Sequence, residues 1–357
     1  MPVNSLYHTW IDRIRQLCPE TRGTLIHNFT WLLVGIYLSR RVHLSLIANK
    51  IPGRAKLNSK IQRLRRLLLG PISVRKWYDP VAVELLKSQA QHDCPIRLIV
   101  EGSRVSFLHQ LLMISIAYRR RAIPIVWTWV KGSRGHSSAL KQLVLLRHVH
   151  TLIPEDASVS LVGDSEFGAV AILRQLDRWG WQYALRQKGN ILVDLTLHSH
   201  WQPFADLVRR VGQSFWFREG FLTEKHYYRT NLLAYWKRGE ERPWLLATSF
   251  PTQRETLRAY RVRMWIEEMF GDFKGHGFDL ESSHLCHFQR LSRLTLAVVL
   301  LYLWLVVLGS HVIKNGLRSL VDRADRRDFS IFRIGYNMAE RWLANIQPFS
   351  ISFVPYF

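Results

Sequence analysis

Three apolar runs rich in β-branched residues follow one another between residues 96 and 130. They are Ile96 to Val105 (IRLIVEGSRV), Leu111 to Tyr118 and Ile123 to Val130. The connections between them are too short for a crossover helix, so the runs are expected to be consecutive antiparallel strands. A helix is expected over Ser137 to His148, a fourth strand over Val159 to Val162, a helix over Phe167 to Leu176 and a fifth strand over Trp181 to Leu185. The resulting order, β-β-β-α-β-α-β, restricts the chain to an α/β sheet flanked by helices.

That order matches the ribonuclease-H-like fold. Residues 188–250 add further alternating runs with Phe215, Trp216, Phe217, Tyr227, Tyr228, Tyr235 and Trp236, expected as a β-rich insertion. A helix is expected over Arg254 to Lys274. The expected layout is a helical DNA-binding domain over 1–90, a catalytic core with its insertion over 91–290, and a C-terminal helical segment over 291–357. Within 1–90, Thr24 to Leu38 is apolar and long enough for a helix. Ser59 is expected to cap another that runs to Leu69, with Ile61, Leu64, Leu67 and Leu68 on one face and Lys60, Arg63 and Arg66 elsewhere. Such a basic helix suits a DNA backbone and equally suits a solvated surface. The stretch Thr295 to Ile313 has no Lys, Arg, Asp or Glu, and its length suffices for a bilayer. It is solitary and contains Gly309, Ser310 and His311, so a buried helix against a sheet is expected, and no membrane partner.

The chain of 357 residues carries 50 Lys and Arg against 27 Asp and Glu, a formal charge of +23. Residues 21–78 hold twelve bases and no acid; residues 102–154 hold eight bases and no acid. Charge this one-sided repels itself and points to a polyanionic partner, with nucleic acid ahead of an anionic membrane. Cys18, Cys94 and Cys286 are too few and too scattered for a disulfide scaffold or a zinc site. The opening MPVNSLYHTW lacks the pattern of a signal peptide, so a cytoplasmic, nucleoid-associated location is expected.

In so basic a chain, acids inside apolar strands stand out. Glu101 ends the run Ile99-Val100 in the first expected strand. Asp164 follows Ser160-Leu161-Val162-Gly163, where a strand gives way to a helix. It competes with Glu166 and with an ordinary helix-capping role. Tyr260, Arg263, Glu267 and Lys274 are spaced 3, 4 and 7 apart, which on one helix places them along a single face. Glu268 lies beside them. The alternative is a ladder of ion pairs on a solvated helix.

The segment YRVRMWIEEMFGDFKGHGFDLE, residues 260–281, resembles the Y-(2)-R-(3)-E-(6)-K signature of IS4-type DDE transposases. Asp164 in LVGDSEFG is similar to that family's second acid, and Trp244 to Ser249 (WLLATS) to the strand closing its insertion. The resemblance implies a DNA transposase of the cut-and-paste type. Glu101, Asp164 and Glu267 would hold two Mg²⁺ or Mn²⁺ ions. Tyr260, Arg263 and Lys274 would contact DNA phosphate, and Trp244 would stack on a flipped base. The implied partners are terminal inverted repeats, target DNA and a second copy of the chain. One position departs from the pattern: the family's first acid is Asp, and here it is Glu101. Asp93 lies outside the strand and is a poor substitute. The departure leaves open a catalytically impaired, transposase-derived DNA-binding protein; a metal-dependent nuclease without strand transfer is a further rival.

Overall fold

The computed structural model describes residues 2–91, 95–105, 109–132, 137–196, 200–323 and 325–357, so Asp93 and Cys94 lie outside it. The chain opens with five helices: α1 (Pro2–Leu17), α2 (Gly23–Ser39), α3 (Leu44–Lys50), α4 (Leu57–Leu69) and α5 (Val74–Ala90). Three strands follow, β1 (Ile96–Arg104), β2 (His109–Tyr118) and β3 (Arg121–Lys131), then α6 (Ala139–His150), β4 (Val159–Gly163), α7 (Val170–Arg178) and β5 (Gln182–Arg186). The insertion supplies β6 (Leu192–Asp194), β7 (Gln202–Pro203), β8 (Ser214–Leu222), β9 (Tyr228–Tyr235) and β10 (Trp244–Thr248). The remainder is helical: α8 (Gln253–Tyr260), α9 (Trp265–Phe273), α10 (Phe288–Lys314) and α11 (Ile331–Ala344).

Two compact units result, Gln89–Glu268 and a helical unit made from Met1–Ser88 with Met269–Phe357. The C-terminal helices therefore complete the N-terminal unit, whereas the sequence reading treats them as a separate segment beginning at 291.

Among the described residues of the α/β unit ten strands join one sheet, ordered β3-β2-β1-β4-β5-β10-β9-β8-β6-β7. The first five have the expected order of types. β1 to β3 form an antiparallel meander, and β4 and β5 run parallel to β1. Parallel strands are covered on both faces, which is why β1 and β4 read as nearly continuous apolar runs. Pro124 is tolerated because β3 is an edge strand and needs no donor on its outer side. The insertion extends the same sheet, with β10 pairing antiparallel to β5. The amphipathic α7 buries Val170, Ile172, Leu173 and Leu176.

In the helical unit α4 begins at Leu57, two residues before the expected Ser59 cap, and its N-cap Lys56 makes no side-chain capping bond. Arg293 closes the other end, donating to Leu68 O at 2.7 Å and Ile72 O at 3.1 Å. α10 is long and apolar enough to cross a bilayer, yet 89% of its most apolar window is buried. The sequence reading sets it against a sheet; within its unit it packs on α2, α4 and α11. Gly309 and Gly335 make the α10–α11 crossing possible. A Cβ on Gly309 would lie 1.9 Å from Ile331 O, and one on Gly335 1.8 Å from Leu305 O.

Candidate active site

Strand register brings the first two acids together. In the parallel pair β1–β4, Val100 is opposite Gly163, so the next residues, Glu101 within β1 and Asp164 just past the end of β4, lie beside one another in register. Gly163 permits the close approach, since a Cβ there would sit 2.6 Å from Val100 Cγ1. In the next pair, Gly163 is opposite Leu185, which sets Arg186 beside Asp164. Arg186 Nη1 lies 4.0 Å from Asp164 Oδ1. These are the carboxyl ends of parallel strands, where open α/β sheets characteristically bind ligands.

Asp164 precedes the short 3₁₀ turn Ser165–Phe167, but its side chain makes no capping bond. Glu166 serves a different purpose. It accepts from Gln110 Nε2 at 2.8 Å, from Ser137 N at 2.9 Å and from the Ser137 hydroxyl, which pins the turn carrying Asp164 to β2. Glu166 is thus taken up by local hydrogen bonds, while Asp164 has Arg186 as its neighbour.

The third element arrives from α9. The single helix expected over 254–274 is interrupted by a 3₁₀ stretch at Arg261–Met264. The backbone stays right-handed helical at Tyr260 and Trp265, so the segment tightens without breaking. Arg263 is thereby buried at 8% exposure. Its Nη1 donates to Glu101 Oε2 at 2.6 Å and its Nη2 pairs with Glu267 Oε1 at 2.9 Å. Glu268 points away and pairs with Arg121 at 3.1 Å. Glu101 is 3% exposed and also accepts from Gly102 N at 3.3 Å.

Burial opposes the Arg263 charge, but Tyr260, Glu101, Glu267 and Asp164 outweigh it and hold its pKa above the ordinary value. All three candidate acids thus act on one guanidinium. Burial pushes the Tyr260 phenol up as well, against the pull of Arg263 and Arg186, so it is a neutral hydroxyl at physiological pH. Its oxygen is buried with no hydrogen-bond partner among the described residues.

Not every expected contact residue is placed for its role. Tyr260 is 2% exposed, and its ring packs edge-on against Trp244, 5.1 Å between centroids. Trp244 is 7% exposed and also meets Tyr235 edge-on at 6.0 Å. It is a core aromatic on a fully buried strand, with no face open to a base. Tyr260 and Arg263 are likewise covered rather than turned to a phosphate. Lys274 belongs to the helical unit, where its ammonium pairs with Glu281 at 3.0 Å. Arg186 and the anchoring bonds of Glu166 were not foreseen. The former had a signal, a base ending an apolar strand; the latter depends on a tertiary contact with Ser137.

The donor set suits a hard divalent cation, being oxygen-only and drawn from three carboxylates. A cationic group already lies among them, so the cluster is arranged for positive charge. As the side chains stand, Arg263 engages one oxygen each of Glu101 and Glu267. Among the described residues no three His, Cys, Asp or Glu side chains are close enough to hold an ion.

A family model described as a transposase DDE domain matches residues 108–304, more than half of the chain. A similar solved structure is a piggyBac transposase synaptic complex with hairpin DNA, determined by cryo-EM. It is 10% identical, with 98% of this chain and 83% of that one covered at a TM-score of 0.45. No curated protein matches the sequence.

Proposed function

This chain belongs to the transposase DDE-domain family, and from that premise we propose that it is a cut-and-paste DNA transposase of the IS4 type whose acidic trio is Glu101, Asp164 and Glu267. One observation carries the reading. Glu101 and Glu267, far apart in the chain, meet on the two arms of the Arg263 guanidinium, and Asp164 leaves the strand end next to Glu101.

Glu101, Asp164 and Glu267 would hold Mg²⁺ or Mn²⁺, which when bound would activate an attacking oxygen and neutralise the leaving one. The chain's own groups prepare that arrangement. Arg263 bridges Glu101 and Glu267 and draws them together without metal. Arg186 orients Asp164, and Glu166 fixes the turn beneath it. The strand ends supply rigid attachment, which matters because misplacement by an ångström costs on the order of a hundredfold in rate. Water would first cut the element's end; the released 3′-hydroxyl would attack the opposite strand, closing a hairpin and releasing the flanking DNA. A second water would reopen the hairpin, and the restored 3′-hydroxyl would attack the target. Two protomers would hold the two ends.

Glu101 in place of the Asp that the family resemblance implies favours one second reading, a DNA-binding descendant with impaired catalysis. DNA carrying the inverted repeats that flank the gene, mixed with target plasmid and Mg²⁺ or Mn²⁺, separates the cases. Joined products support the transposase. Cutting without joining indicates a plain nuclease. Binding without cutting, restored to cutting by Glu101→Asp, supports the impaired descendant.

A further inference from the structure

We propose that the helical unit carries a phosphodiester-backbone site in the cleft between the start of α2 and the outer face of α4, with Arg22, Arg63 and Arg66 as its ligating cations. The choice of DNA as occupant rests on the transposase reading; the charge and shape of the cleft do not.

Two adjoining clefts, of about 470 and 540 Å³, share Thr24 and Asn28 on the first turns of α2. The smaller is walled by Arg22, by Arg63 and Arg66 from α4, and by the Gly70-Pro71 turn. Among the described residues no acid lines either cleft. The first turn of α2 carries no acid, and its N-cap Arg22 makes no side-chain capping bond, so the positive end of a 17-residue helix opens here uncompensated.

The arginines are not spent elsewhere. Among the described residues no ion pair joins Arg22, Arg63 or Arg66 to an acid. Arg63 Nε is buried with no hydrogen-bond partner among the described residues, so this N–H donor is available to a ligand. Arg63 also bears on His27, whose pKa is lowered first by burial and then by that guanidinium. Neighbouring cations are committed differently. Lys60 Nζ donates to Ile51 O at 2.6 Å, and Arg15 in the larger cleft pairs with Asp12 at 3.5 Å. Three guanidinium groups rim a cleft whose floor is largely apolar (Leu25, Leu67 and Pro71), and each can donate to phosphate oxygens and release counterions on binding. Arg65, on the same helix, is exposed and lies outside the cleft, which supplies a control.

The test measures the affinity of the full chain for duplex DNA in EDTA between about 50 and 200 mM salt. Arg22→Ala, Arg63→Ala and Arg66→Ala are each expected to reduce the slope of log affinity against log salt by about one. Arg65→Ala and the charge-keeping Arg63→Lys should leave it unchanged, with thermal unfolding of every variant matching the parent. An equal fall for Arg65→Ala, or an unchanged slope in the triple Ala variant, overturns the site. So does loss of binding to phosphatidylserine vesicles in the triple variant with duplex affinity intact, which would reassign the cleft to a membrane. Because EDTA removes catalysis, a fallen slope in a chain that never cuts DNA would keep the cleft and discard the transposase reading.

Discussion

Arg263 and Glu101 stand 162 positions apart, yet guanidinium Nη1 donates to Glu101 Oε2 at 2.6 Å with both side chains almost wholly removed from solvent. The pair ties α9's approach segment to the central strand. Removing one partner of a buried pair leaves charge behind at a cost of about 3–5 kcal/mol. Arg263→Ala is therefore expected to lower unfolding stability by about 3 kcal/mol, measured by urea denaturation. Arg263→Lys should recover only part, because one ammonium cannot span Glu101 and Glu267.

The β2–β3 hairpin is strained. Tyr118 pairs with Arg121, leaving a two-residue loop in which Arg119 and Arg120 have φ of 42° and 64°. Such a turn favours Asn-Gly, and left-handed backbone costs other residues about 1–2 kcal/mol each. The double change Arg119→Asn with Arg120→Gly should raise stability by about 1 kcal/mol, read as a higher urea midpoint with an unchanged slope.

How much of this was legible in the sequence depended on distance along the chain. The strands of the core were visible as apolar runs, because each is buried on both faces. The pairing of Glu101 with Asp164 was not visible, since it rests on the Val100–Gly163 register. Arg263 had a sequence signal, its spacing to Glu267, but its burial comes from β1, which no helical spacing can report. Trp244 carried the same local pattern whether its ring faced solvent or core; Tyr235 and Tyr260 decide that from other elements. The helix α11 lies within the C-terminal helical segment expected over 291–357, and Ile331, Ile334, Gly335 and Met338 are spaced for its one buried face.

At the α10–α11 crossing, Gly335→Ala would place a methyl against the backbone oxygen of Leu305. Backbone on both sides leaves little room to relax, and a loss of about 3 kcal/mol is expected by thermal denaturation. Gly275→Ala, whose Cβ would meet nothing within 4 Å, should be close to neutral.

Alkaline stability follows from buried phenols of the α/β unit. Burial lifts Tyr183 to about 12, and the neighbouring Tyr228, whose hydroxyl donates to Asp177, is raised as well. Both lie above the unfolded value of about 10, so their contribution is intact below pH 10 and lost as pH rises through 12. Unfolding midpoints should hold steady from about pH 8 to 10 and then fall, less steeply in Tyr183→Phe.

The acidic trio is tested most directly by cleavage of inverted-repeat DNA with Mg²⁺ or Mn²⁺, comparing Asp164→Asn with the parent while duplex affinity is measured in parallel. The account predicts a loss of cleavage of at least about a hundredfold with affinity little changed. Cleavage by Asp164→Asn at the parent's rate would contradict it.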